Sequence, residues 1–376
     1  MKTIYMDNAA TSFPKPAGVG ESMLRYITEV GATVNRASYG PAQEAEMTLF
    51  GLREKLCALF GFDSPQNAVM TSGATAALNM AIKGFLRPGD HCVVSSMEHN
   101  AVMRPLRGLE KRGVSLSIAA AAPDGRLSPE AVEREFRANT RLFVLCHASN
   151  VSGTVQDAAA FGALCREYGV HFLLDASQSA GHIPVDFGKM GLSALAVPGH
   201  KGLLGPSGIG ALLVREDFAQ RLEPLVEGGT GSFSHLETQP EIMPDRLEAG
   251  TPNIPGIYGL DAALDFLMKT GVETVRAHEK ALLDRFLSGL EAIPSARVAG
   301  TPDTAVVSLD FPGRDNAELA DRLAREFGIM TRCGLHCAPA AHRTLGTFPR
   351  GTVRFSMGYY STEEEIDAVL SAIASL

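Results

Sequence analysis

Pro198-Gly199-His200-Lys201-Gly202-Leu203-Leu204-Gly205-Pro206-Ser207-Gly208 is a Gly/Pro-rich run holding a single lysine. Upstream of it, His171-Phe172-Leu173-Leu174-Asp175 is a short apolar run closed by an acid. Such a run, bounded by turn residues, reads as a buried strand. A strand ending in an acid, with a lysine in a following tight loop, suits pyridoxal phosphate. The lysine amine engages the cofactor aldehyde. The carboxylate keeps the pyridine nitrogen protonated, so that the ring accepts electrons from a substrate carbanion. Either residue alone reads as a cap or a solvated charge, and the pairing is what carries the assignment.

Strand-like and helix-like segments alternate outward from this stretch, over residues 40–215. Leu49, Leu52, Leu56, Leu59 and Phe60 recur at helical spacing before Gly61. Short strands are expected at 67–71, 91–95, 115–119, 142–145, 170–175 and 209–214. Helices are expected at 73–85 and near 100–112, 128–138 and 156–168. This alternation predicts an α/β fold, a mainly parallel central sheet with helices on both faces. Beyond residue 255 the pattern becomes α+β: helices near 256–269 and 272–292, a strand at 305–309, a helix at 315–327, strands near 329 and at 352–355, and a terminal helix from Thr362. Two domains are expected: a large cofactor-binding one over 16–255, and a smaller one from 1–15 and 256–376.

The bulk properties narrow the function. At 376 residues, 45% hydrophobic and 20% charged, the chain has the composition of a globular protein with a large core. A net charge of −8 without a basic stripe argues against nucleic acid. No apolar run reaches the ~18 residues of a membrane span, and Met1-Lys2-Thr3-Ile4-Tyr5 lacks a signal-peptide core. Six scattered cysteines (57, 92, 146, 165, 333, 337) fit a reducing cytoplasm rather than a disulfide framework. No metal is expected, because Cys333, His336, Cys337 and His342 fit no common zinc spacing.

Thr71-Ser72-Gly73-Ala74-Thr75 joins an expected strand to an expected helix. The free N–H groups of such a turn make it an anion site, although a plain N-cap looks the same in sequence. Gly250-Thr251-Pro252-Asn253 is a second candidate, equally readable as an ordinary proline turn.

Taken together, these residues resemble the PLP-dependent cysteine desulfurases and selenocysteine lyases, a branch of the class V aminotransferases with the fold type I of PLP-dependent transferases. The likeness covers nearly the whole chain. Tyr5-Met6-Asp7-Asn8-Ala9-Ala10-Thr11 resembles the opening motif, and Asn8 and Ala9 are expected near the substrate. Gly73-Ala74-Thr75 is similar to the phosphate turn. Glu98-His99-Asn100 resembles the segment whose histidine, here His99, stacks on the pyridine ring. Asn150, in Ser149-Asn150-Val151-Ser152-Gly153-Thr154, matches the residue contacting the ring oxygen. Asp175 and Gln178 match the acid at the pyridine nitrogen and a nearby glutamine. His200 and Lys201 match the cofactor lysine and its preceding histidine. Glu248-Ala249-Gly250-Thr251-Pro252-Asn253 resembles a turn that reaches the partner subunit's phosphate, which implies a homodimer. The loop Arg332-Cys333-Gly334-Leu335-His336-Cys337-Ala338 places the nucleophile at Cys337, and Arg354 matches the carboxylate-binding arginine.

The resemblance implies conversion of L-cysteine or L-selenocysteine to L-alanine, with sulfur or selenium passing through a Cys337 persulfide to an acceptor protein. In that scheme Lys201 removes the Cα proton, His99 shuttles protons, and Arg354 grips the substrate carboxylate. Arg332 and His336 are expected to stabilise the thiolate, with Arg36 as a further cation. Gly334 and Pro339 suggest a loop able to swing. Pro198 and Ala74 stand where relatives carry phosphate-binding hydroxyls, with residues 228–232 a candidate compensation, and Leu335 stands where relatives often have a second histidine. These departures keep open a transaminase, racemase or β-lyase, and a non-catalytic sulfur-assembly scaffold is a further alternative.

Overall fold

The computed structural model describes residues 3–34 and 38–376. The candidate cation Arg36 lies outside the described residues. The larger sheet has seven strands in the order Ala68–Thr71, Gly210–Val214, Ala194–Pro198, His171–Asp175, Thr140–Cys146, His91–Ser95 and Ser115–Ala119. The last five run parallel to one another, whereas Gly210–Val214 is antiparallel to both of its neighbours. This is the mainly parallel α/β sheet that the alternation predicts.

Side chains leave these strands with a period of two. Phe143, Leu145, Phe172 and Leu174 enter the core on one face of the sheet. Leu142, Val144 and Leu173 enter the core on the other. Both faces are covered, which is why the central strands read as unbroken apolar runs. The helix Ile254–Thr270 buries Ile257, Leu260 and Leu264 in the first of these cores.

A four-stranded antiparallel sheet follows, in the order Arg332–Gly334, Thr352–Ser356, Val306–Asp310 and Arg297–Val298. The helices Val272–Leu290, Asn316–Phe327 and Glu363–Ser375 supply much of its core, around Phe286, Phe311 and Phe355. The N-terminal strand Ile4–Tyr5 pairs in parallel with Ile329–Met330. The chain therefore begins beside the smaller sheet, and it then crosses to the lysine turn of the larger one, where the Ser12 N–H donates to the His200 carbonyl at 2.9 Å.

Some elements differ from the sequence reading. Ala194-Leu195-Ala196-Val197-Pro198 is a strand between Asp175 and Lys201 that the reading lacks; two alanines and a closing proline mute its β signal. The helix expected over 128–138 is confined to Pro129–Glu133. The helix Ala17–Arg25 forms despite Gly18 and Gly20. Among the described residues no helix is long and apolar enough to cross a membrane.

Candidate active site

Asp175 and Ala196 are register partners on adjacent parallel strands. The acid and the turn that follows Pro198 therefore emerge at the same edge of the sheet, where open α/β folds bind their ligands. A cavity of about 200 Å³ lies there, lined by Lys201, Asp175, His99, Asn150, Gln178 and His200, together with the turn 72–76. Asp175 is buried, and one of its oxygens accepts bonds from the backbone N–H and the hydroxyl of Ser177. Burial lowers the Lys201 amine to about 8, against the opposing pull of Asp175.

His99 is the N-cap of the helix Asn100–Glu110, and its Nδ1 accepts the Ala101 N–H at 3.0 Å. In the neutral ring this leaves the proton on Nε2. Burial, helped by Lys201 and opposed by Asp175, keeps the His99 pKa below its ordinary value. His200 is lowered to about 4, first by burial and then by the charges of Lys201 and Lys15. Its carbonyl also accepts bonds from Thr11 Oγ1 at 3.1 Å and Lys15 Nζ at 2.9 Å, which fixes the backbone just before Lys201.

The candidate phosphate turn precedes the helix Ala74–Phe85. Its N-cap, Gly73, has no side-chain cap, so the first-turn N–H groups face the cavity unclaimed. Gly73 has φ +143°, a conformation that side-chain-bearing residues rarely adopt. Gly210 on the sheet allows the close approach: a Cβ there would lie 2.7 Å from the Gly73 Cα. Thr75 and Ser72 line the cavity with hydroxyls, while Ala74 and Pro198 line it without them. The loop 228–232 does not reach this cavity; it borders other ones, so within the chain it does not replace the missing donors. Thr251 also lies outside the cavity, on an exposed turn.

Arg354 is buried, donating to Asp7 Oδ1 at 2.7 Å and to the Asn150 carbonyl at 3.1 Å. Its Nε is buried with no protein partner. Arg332 is opposite Arg354 in the register of the smaller sheet, and its side chain is exposed. The Asn8 amide is committed elsewhere, donating to the Ser356 carbonyl and accepting the Phe13 N–H. The Ala9 carbonyl takes Gln178 Nε2 at 2.8 Å. Asn8 and Ala9 therefore brace the cavity without lining it. Sequence reasoning missed the bracing roles of Ser177, which lies between Asp175 and Gln178, and of Asp7, which lies in the opening motif.

Cys337 is exposed and lines a second cavity, of about 380 Å³, not the first. His99, Thr75 and Ala101 line both, so the two cavities meet at His99. His336 and Cys337 have φ of +47° and +59°, a left-handed pair in which non-glycine residues are strained. Both carbonyls are tied, that of His336 to Asn150 Nδ2 at 2.7 Å and that of Cys337 to the Asn100 N–H at 2.8 Å. The expected swinging loop is in this structure a short segment fastened at two points. The expectation that His336 helps to stabilise a thiolate is corrected. Its ring is buried against Thr352, and burial, with Arg354 nearby, lowers its pKa to about 2, so it brings no charge.

The residues around the first cavity fit pyridoxal phosphate on three counts. An amine and a buried carboxylate share it. An uncapped helix N-terminus borders it. Asn150 Oδ1 and His200 Nδ1 are buried beside it without protein partners. A mainly parallel α/β sheet with this site at the carboxyl ends of its strands is the arrangement of a PLP-dependent enzyme of fold type I. Comparison with known proteins agrees: the model of the aminotransferase class-V family matches residues 4–369, and the chain belongs to that family. It is 34% identical over 370 residues to a probable cysteine desulfurase of Methanothermobacter thermautotrophicus, covering 96% of this chain and 92% of that protein. It is 31% identical to the cysteine desulfurase CsdA of Escherichia coli, covering 98% of this chain and 93% of that one. The apo structure of a cysteine desulfurase from Thermococcus onnurineus superposes with a TM-score of 0.92 at 31% identity, over 99% of this chain and 94% of that one.

Proposed function

We propose that this protein is a PLP-dependent cysteine desulfurase, releasing L-alanine from L-cysteine and taking the sulfur on Cys337. The observation that carries this reading is the meeting of the two cavities at His99, with Lys201 and Asp175 on one side and Cys337 on the other. A chain that only scaffolds sulfur assembly has no need of a buried, neutralisable lysine beside a buried acid.

Lys201, Asp175 and His99, with the first-turn N–H groups of residues 74–76, would hold the cofactor. Asn150, Gln178 and His200 complete its surroundings, and Thr251 of a partner subunit is the proposed further phosphate donor. Bound pyridoxal phosphate supplies an electron sink for charge developing at the substrate Cα. Arg354, held by Asp7 and with its Nε free of a protein partner, would offer its guanidinium to the substrate carboxylate, with Arg332, exposed and opposite it in the sheet register, as a second cation. The Lys201 amine, neutral above about pH 8, takes the Cα proton. His99, with its proton on Nε2, stands between the cavities as a proton donor or acceptor. The Cys337 sulfur bonds to the substrate sulfur as the Cβ–S bond breaks, and the electron pair of that bond remains with the carbon that becomes alanine's methyl group. Reaching the substrate requires the 335–338 segment to release the Asn100 and Asn150 bonds.

We read residues 16–255 as the cofactor domain, and 1–15 with 256–376 as the smaller domain bearing the cysteine. The site works as a homodimer that hands sulfur to an acceptor in the cytoplasm. Product analysis tests the assignment. L-cysteine should yield alanine and enzyme-bound sulfur, with Cys337→Ser reducing turnover about a hundredfold or more. Pyruvate and ammonia in place of alanine would make the protein a β-lyase.

A further inference from the structure

The outer cavity that holds Cys337 is a groove between two helices. Asn79 and Lys83 face it from Ala74–Phe85, four residues apart. Asn100 and Arg104 face it from Asn100–Glu110 at the same spacing, and Arg112 follows just beyond that helix. Residues four apart share one face of a helix, so each helix offers a polar stripe to the groove. No acidic side chain is among its lining residues. The cationic ends of Lys83, Arg104 and Arg112 make no ion pair or hydrogen bond with any described residue, whereas Arg107, on the same helix, is paired with Glu110. Three unpaired cations around one groove stand out on a chain of net charge −8. Cys337, held in a left-handed backbone conformation, is one of the groove's lining residues.

We infer that this groove binds a small thiol carrying two or more carboxylates, which takes the sulfur from Cys337. The inference rests on the desulfurase reading. A volume of about 380 Å³ suits a small molecule, and the cations set its charge. The Asn100 amide adds hydrogen-bond donors, and Asn79, whose Nδ2 gives one hydrogen bond to the Thr75 carbonyl at 2.9 Å, adds one more. In the transfer the acceptor thiolate attacks the outer sulfur of the Cys337 persulfide. The S–S bond breaks, Cys337 leaves as a thiolate, and the acceptor departs as a persulfide. The sulfane sulfur keeps its oxidation state, so no further oxidant or reductant enters.

The test uses holoenzyme loaded with L-cysteine, with bound sulfane sulfur measured first in each sample. Loss of that sulfur is then timed with mercaptosuccinate, a dicarboxylate thiol, and with monothioglycerol, an uncharged one. The ratio of the two rates cancels differences in loading and in Cys337 reactivity. In Lys83→Gln/Arg112→Gln the ratio should fall about tenfold from wild type, the lower end of what a focused field contributes to association. In wild type the mercaptosuccinate rate should also fall steeply with salt, while the monothioglycerol rate stays flat. An unchanged ratio, or equal salt dependence for both thiols, overturns the inference. Failure of wild type to load sulfur at all would instead overturn the desulfurase reading.

Discussion

Burial sets the working range of Lys201. The amine titrates near 8 rather than at its ordinary 10.5, because the desolvation that lowers it outweighs the attraction of Asp175. In the proposed mechanism the base is the neutral amine, so activity limited by Cα deprotonation should rise with pH and reach half its plateau near pH 8. A pH–rate profile in cysteine checks this, and an acid limb two units higher would mean that the lysine is not the base. Asp7 offers a second test at this scale. Its carboxylate holds one end of the Arg354 guanidinium at 2.7 Å, so Asp7→Asn should raise the KM for cysteine about tenfold with a smaller change in kcat. Much at this scale is legible in the sequence, since Lys201, Asp175, Asn150, His99 and Gln178 meet in one cavity as their motifs imply. What is not legible is where a side chain spends its hydrogen bonds. Asn8 reads as a substrate contact, but its amide is used up on Ser356 and Phe13. His336 reads as a cation, but its surroundings keep it neutral.

At the scale of elements, the edge strand Ala68–Thr71 shows how the proposed phosphate turn is held. One side of the strand pairs with Gly210–Val214. On the other, Glu248 accepts the Met70 N–H at 2.6 Å and pairs with Arg53 at 2.8 Å, while Arg53 donates to the Ala68 carbonyl. A largely buried ion pair thus satisfies the edge of a strand whose end becomes the phosphate turn. Glu248→Ala leaves Arg53 buried without its partner. It should cost about 3–5 kcal/mol, measured by urea unfolding, and weaken pyridoxal phosphate binding as well. Element by element, the sequence conveys strands that are apolar on both faces and helices with a clean stripe. It conceals Ala194–Pro198, whose alanines and proline suit a strand only because the neighbouring strands bury it. It also conceals the basic groove, because the three cations belong to segments that only the fold brings together.

For the whole molecule, the N-terminal segment ties the two sheets through one site. Asp7 holds Arg354 of the smaller sheet, and Thr11 to Lys15 hold the backbone beside Lys201 of the larger. Thr251 lies outside its own subunit's cavity, so the proposed dimer should make cofactor binding a shared property. Thr251→Val should weaken pyridoxal phosphate binding about tenfold in apoprotein titrations. The same loss should appear in wild-type sites paired with a variant subunit, and no loss there would separate Thr251 from the partner's phosphate. The proposed chemistry depends on pyridoxal phosphate carried by Lys201 in front of Asp175. Borohydride reduction of the holoenzyme, followed by peptide mass spectrometry, tests this most directly. The pyridoxyl group is predicted on the peptide containing Lys201 and on no other; a label on any other lysine, or none on a protein saturated with pyridoxal phosphate, would contradict it.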